Sequence, residues 1–158
     1  IPRPSTIPGV AEAAPPRRSI LLIDDEAAVR LVTGRMLREL GHRVMTADSG
    51  RRGLELLEEQ PHAIDLVVLD LTMPEQSGEQ TLDQLRVERS SMPVVITSGF
   101  QAEDASKLLQ LPNVVGFLDK PHTMISLEMV LASIAQHRPD AKAPAVAKVN
   151  AGCIPRIP

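Results

Sequence analysis

Tryptophan and tyrosine are missing from this chain of 158 residues, and Phe100 and Phe117 are its only phenyl side chains. The core must be assembled from Leu, Val, Ile, Met and Ala, and the aromatic platforms on which single-stranded bases stack are absent. Cys153 is the one cysteine, so no intrachain disulfide forms, and a reducing, cytoplasmic setting is expected. No apolar run approaches the roughly 18 residues of a membrane span. The start lacks a basic-then-apolar signal segment as well, so no membrane insertion by this chain is expected. The chain begins at Ile1 rather than Met, which reads as a piece excised from a longer protein.

Charge is unevenly spread. The net formal charge is −3, but between Ser19 and Arg138 there are 18 acidic and 11 basic residues, a balance of −7. An acidic domain is a poor ligand for phosphate backbones, so direct nucleic-acid binding is not expected.

Proline marks the boundaries. Residues 1–18 hold Pro2, Pro4, Pro8, Pro15 and Pro16 among Ala, Ser and Gly, the composition of a linker or leader. Residues 139–158 repeat that character with Pro139, Pro144, Pro155 and Pro158, and are expected to be a disordered tail. Between them, 19–138 alternate β and α patterns. Apolar strands are expected at 20–23, 44–47, 66–69, 94–96 and 114–118. Helices are expected over 26–40 (inner face Val29, Val32, Met36, Leu37, Leu40, stop at Gly41) and from Ser49 to Pro61. Further helices should carry Leu82, Leu85 and Val87, span about 103–110, and carry Ile125, Leu127, Val130, Leu131 and Ile134. Five strands alternating with five helices call for a doubly wound α/β fold, a five-stranded parallel sheet with helices on both faces. The near-continuous apolar strands one, three and four should be central, with the more polar strand two at an edge.

In such a sheet ligands bind outside the carboxyl ends of the strands. Four strands run out there into polar residues: Asp24-Asp25-Glu26, Asp70, Thr97-Ser98-Gly99 and Asp119-Lys120-Pro121. Asp70 could act as a nucleophile towards phosphorus, forming an aspartyl-phosphate. Asp24 and Asp25 beside it make three carboxylates that cannot all stay ionised without a cation between them. A hard divalent ion, Mg²⁺ or Mn²⁺, with oxygen ligands resolves that crowding and neutralises an incoming phosphoryl group. Lys120 adds a positive charge, and Thr97 a hydroxyl able to bond a phosphoryl oxygen.

These motifs (LLIDDE, VVLDLTMP followed by Gly78, VVITSG and FLDKP) resemble the receiver domain of two-component response regulators and hybrid histidine kinases over roughly 19–137. The resemblance implies a flavodoxin-like (βα)5 fold. It implies Asp70 as acceptor of phosphate from phosphohistidine on a sensor histidine kinase or histidine phosphotransfer protein. Asp24, Asp25 and Asp70, with the backbone carbonyl of Thr72, would hold Mg²⁺. Thr97 and Lys120 would read the phosphate, and Phe117 would swing inward with Thr97, altering a partner-binding or homodimer face made by the fourth helix, fifth strand and last helix. A cis bond before Pro121 is the family's arrangement, a trans bond the default. His122 stands where the family often has Phe, and Phe117 lacks the hydroxyl of the frequent Tyr. The Gly99-Phe100 pair and the Pro-rich leader suggest the receiver of a hybrid sensor kinase rather than a stand-alone regulator.

Two other readings stand beside this one. A dehalogenase-type phosphohydrolase would need an acid two residues after Asp70, where Thr72 stands. A receiver that docks without being phosphorylated would carry the same residues. His42, His62, His122 and His137 show no metal-ligand spacing and are expected at the surface or in loops. Arg30, Arg35 and Arg38 are candidates for kinase specificity on the first helix, and Glu26 for a helix cap that complements the dipole.

Overall fold

The computed structural model describes residues 16–74, 77–99, 106–135 and 147–149. Its elements are, in chain order, β1 (Ser19–Ile23), α1 (Ala27–Glu39), β2 (Arg43–Ala47), α2 (Gly50–Glu59), β3 (Leu66–Asp70) and α3 (Gly78–Glu88), then β4 (Val94–Ser98), β5 (Val114–Asp119), α4 (Met124–Ala135) and β6 (Ala147–Val149). Of the helix expected near 103–110, residues 106–108 are helical and 103–105 lie outside the described residues, as do Phe100, His137, Cys153 and most of both tails.

Local chemistry sets the ends of these helices. Gly41 adopts φ 95° just past α1, a conformation that favours glycine, and so stops the helix where expected. Ser49 caps α2 by accepting from the Arg52 amide. Ser77 and Gln80 form a reciprocal capping box at the start of α3, which fixes the helix that begins right after the loop beside Asp70.

The strands form one parallel sheet in the order β2-β1-β3-β4-β5-β6. Side-chain alternation divides the core between its two faces. Leu21, Ile23, Val67, Leu69, Ile96 and Phe117 pack with Leu56 and Leu57 of α2 and Leu82 and Leu85 of α3. Ile20, Leu22, Val68 and Leu118 pack with Leu37 of α1 and Leu127, Val130 and Ile134 of α4. Phe117 is the one aromatic side chain in these two clusters of described residues, and each fully buried side chain in them contributes about 1.5–3 kcal/mol. The central strands are β1, β3 and β4, and β2 is an edge, as the apolar runs require.

Several expectations are corrected. All five expected strands form the parallel sheet, and a sixth joins them: Ala147–Val149, inside the tail expected to be disordered, pairs in parallel with Gly116–Leu118. The outer side of β5 offers unpaired backbone groups, and the stretch 145–154 contains no proline to interrupt a ladder. Val32, expected on the inner face of α1, is exposed, and so are Ile125 and Val87 on the helices expected to carry them. Leu37 is buried on α1 as expected, with Met36 and Leu40 packed beside it, and the other buried places go to Thr33 and Gly34. His42, expected at the surface or in a loop, lies in the loop between α1 and β2 but is buried there, its Nδ1 accepting the Arg18 amide at 3.1 Å.

Candidate functional site

The strand order reverses between β1 and β3, and the crevice beyond their carboxyl ends is where Asp24 and Asp70 lie. Both are buried to 1% exposure, whereas Asp25 is exposed. Among the described residues, carboxylate oxygens of Asp24, Asp25 and Asp70 lie within 4.8 Å of one another. Thr97, also buried, pairs with Asp70 in the β3–β4 register.

Each oxygen of the two buried carboxylates is engaged. Asp24 Oδ1 accepts the Glu26 amide at 2.9 Å, and Asp70 Oδ1 accepts the Thr72 amide at 3.0 Å. Lys120 Nζ donates to Asp24 Oδ2 at 2.8 Å and reaches Asp70 Oδ2 at 3.0 Å. Burial by itself would lower the Lys120 pKa, but the bonds to Asp24 and Asp70 outweigh it and hold the ammonium above the ordinary lysine value. The Lys120 backbone is itself anchored, its amide donating to Ser98 O at 3.0 Å, and the Lys120–Pro121 bond is cis.

Three carboxylates against one ammonium leave a formal charge of −2 among these four side chains. Two of the acids are buried and oxygen is the sole donor type, so the set suits a hard dication that keeps waters on the Asp25 side. The residues present fit such an ion.

Phe117 is buried within the core face shared by Ile96, its register partner on β4, so the ring expected to swing inward is already inside. Glu26 stands at the N-cap of α1 but makes no side-chain cap bond; Asp24 takes the Glu26 amide instead. Of the three arginines expected as exposed determinants, Arg30 turns back to the Asp24 carbonyl at 2.7 Å and the Asp25 carbonyl at 3.3 Å, closing the loop between β1 and α1. Arg38 reaches the Val44 carbonyl at 3.3 Å, and Arg35 is exposed. The exposed face of α1 also presents Leu31, 66% exposed, and Val32. His122, expected in a loop, is in one but with its ring turned in, its Nε2 lying 2.7 Å from Thr33 Oγ1 on α1.

Neither the Arg30 closure nor the His122–Thr33 bond was read from sequence. The first has a signal in retrospect, a long cation one helical turn into the helix that follows two acids. The second joins residues 89 positions apart and has none.

Comparison with known proteins agrees with this fold. The model of the family described as response regulator receiver domain matches residues 20–132. The sensor kinase CckA of Brucella abortus (strain 2308) is 35% identical over 109 residues, covering 69% of this chain and 12% of that protein. A receiver domain structure from Clostridium thermocellum superposes with a TM-score of 0.68 at 30% identity, covering 75% of this chain and 94% of the other. The receiver of the hybrid histidine kinase CckA gives 0.61 at 32% identity, covering 75% and 99%. The chain spans 12%, 32% and 56% of the length of three curated relatives. The family model over most of the chain, the relatives at 30% identity or more and the superposed receivers agree: the chain belongs to the response regulator receiver domains of two-component systems.

Proposed function

We propose that Asp70 is the phosphoacceptor of this receiver. The observation that carries the reading is the Lys120 ammonium spanning Asp24 and Asp70 in a crevice open on the Asp25 side. An Asp70 carboxylate oxygen attacks the phosphorus of a phosphohistidine. The P–O bond forms as the P–N bond breaks, and the departing imidazole nitrogen takes the bonding pair and then a proton. Asp24, Asp25, Asp70 and the Thr72 carbonyl would hold Mg²⁺ or Mn²⁺, which when bound neutralises charge on the transferring group. Lys120 and the Thr97 hydroxyl bind the new phosphoryl oxygens.

Thr97 and Phe117 form the switch. Phe117 sits one residue before Leu118, the register partner of Thr97, so a shift of Thr97 towards phosphate is felt directly along β5. Moving such an element from mostly off to mostly on takes about 5.5 kcal/mol of differential interaction, within reach of a phosphate with several charge-assisted contacts. The face made by β5, α4 and the segment before β5 transmits the shift to a partner or a second copy. The phosphodonor, a histidine kinase or phosphotransfer protein of the cytoplasm, seats on the exposed Leu31, Val32 and Arg35 of α1. Residues 19–138 are the receiver unit, one domain of a longer hybrid kinase, and act in signalling rather than as an independent enzyme. A phosphohydrolase reading finds no acid at Thr72, whose amide instead supports Asp70.

Intact mass after incubation with acetyl phosphate tests this. With Mg²⁺ the wild type gains one phosphoryl group, without it none, and Asp70→Asn gains none. Equal labelling of Asp70→Asn would sink the assignment, and an unlabelled wild type would leave the docking module in its place.

A further inference from the structure

The turn that presents Lys120 is tied down at three places. Behind it, the Lys120 amide is bonded to Ser98 at the end of β4. Ahead of it, Thr123 and Ser126 cap α4 reciprocally, the Thr123 amide donating to Ser126 Oγ at 2.8 Å and the Ser126 amide to Thr123 Oγ1 at 3.2 Å. The third tie crosses to another element: His122 Nε2 lies 2.7 Å from Thr33 Oγ1, and Thr33 is 1% exposed on the inner side of α1.

This tie is well defined. The His122 Nδ1 is buried and finds no partner among the described residues. Burial, and then the nearby Lys120 charge, lower the imidazole pKa against a smaller opposing effect of Asp24, which favours the neutral ring at neutral pH. An unpaired N–H at the buried Nδ1 would cost more than an unpaired lone pair there, so we assign the proton to Nε2, donating to the threonine hydroxyl. One turn earlier on the same helix, Arg30 holds the carbonyls of Asp24 and Asp25. Helix α1 thus grips the crevice from both sides, through Arg30 on the acidic loop and through Thr33 and His122 on the lysine turn.

We propose that His122 is a positioning residue for phosphoryl transfer, joining the Lys120 turn to α1 through Thr33 so that the placement of the ammonium depends on that helix. The proposal rests on the reading of Asp70 as phosphoacceptor. His122 touches neither the acceptor nor the phosphoryl group; it acts through the backbone two residues from Lys120. Its consequence is that a protein donor seated on the exposed side of α1 presses on the same helix that fixes the lysine.

The test is the rate of Asp70 phosphorylation by acetyl phosphate at saturating Mg²⁺, in the full chain. His122→Phe keeps a ring and removes the bond; the rate should fall about five-fold, the scale of one net hydrogen bond. His122→Gln, which returns an N–H near the Nε2 position, should recover most of it, a rescue that mere filling of space would not give. Thr33→Val should lose as much as His122→Phe, and the double variant no more than either. If His122→Phe does not fold, Thr33→Val, of nearly the same shape, carries the comparison. A wild-type rate in both single variants, no rescue by Gln, or losses that add in the double variant would each overturn the proposal while leaving Asp70 as acceptor. A wild type that takes up no phosphoryl group would overturn the acceptor reading and this proposal with it.

Discussion

At Lys120 two effects oppose each other: burial disfavours the ammonium, and the hydrogen bonds to Asp24 and Asp70 favour it more strongly. A raised pKa means the contribution is fully present below the ordinary lysine value and fades only as pH rises beyond it, so at neutral pH the pair is intact. Lys120→Met keeps the stem and strands two buried carboxylates, a change that costs about 3 kcal/mol. Thermal unfolding in a chelator should show a midpoint about 10 °C lower than wild type, partly restored by Mg²⁺ as a replacement counter-charge. An unchanged midpoint would mean that the buried acids do not depend on the lysine. His42 behaves in the opposite sense. Burial, then the Arg18 charge, lower its pKa, so the folded protein binds fewer protons than the unfolded chain. Stability is therefore full above the ordinary histidine value and is lost as pH falls from there towards the folded one. Urea midpoints from about pH 7.5 to about pH 5.5 should decline more steeply for wild type than for His42→Gln. Parallel slopes would refute the claim.

Among the elements, the start of α3 is the most constrained. A Cβ on Gly78 would run into backbone atoms of Asp70 and Leu71, which cannot yield without moving the acceptor. A Cβ on Gly53 of α2 would meet side-chain rather than backbone atoms, Cδ1 and Cγ1 of Ile23, with Ala47 Cβ in ordinary contact. Gly78→Ala should therefore cost about 2 kcal/mol or more in denaturant unfolding and slow acetyl phosphate labelling. Gly53→Ala should lie nearer to neutral, since alanine also favours a helix interior by about 1 kcal/mol. The reverse ranking would contradict this packing. Helix α1 shows the other limit of element-level reasoning. Its spacing permits Val32 inward, yet Thr33 and Gly34 take the inner places, because the helix sits close to the sheet and to the turn carrying His122.

For the whole molecule, the question is what the tail strand contributes. Among the described residues both core clusters are built from residues between Ile20 and Ile134, and β6 pairs with the outer side of β5. Truncation after Arg138 should leave a cooperatively folding domain that labels at Asp70 within about two-fold of the wild-type rate. Its bared β5 edge should raise self-association, as light scattering would detect. Loss of cooperative unfolding would show instead that the tail belongs to the fold.

The alternation of apolar runs with helical periods determined by itself the parallel sheet, its central strands and the edge on which chemistry gathers. The reason is that burial on both faces leaves a strand no freedom except to be apolar, and the polar residues at its end then fall on one side. Asp24, Asp25, Asp70, Thr97 and Lys120 were legible for that reason. The tertiary structure decided what depends on distant pairs. It tied His122 to Thr33, turned Arg30 back onto two carbonyls, buried His42 against Arg18 and placed Ala147–Val149 on the open edge of β5. Each of these satisfies a polar group left over after the core is packed. Which partner satisfies it depends on which elements come to lie beside each other, and no local pattern in the chain records that.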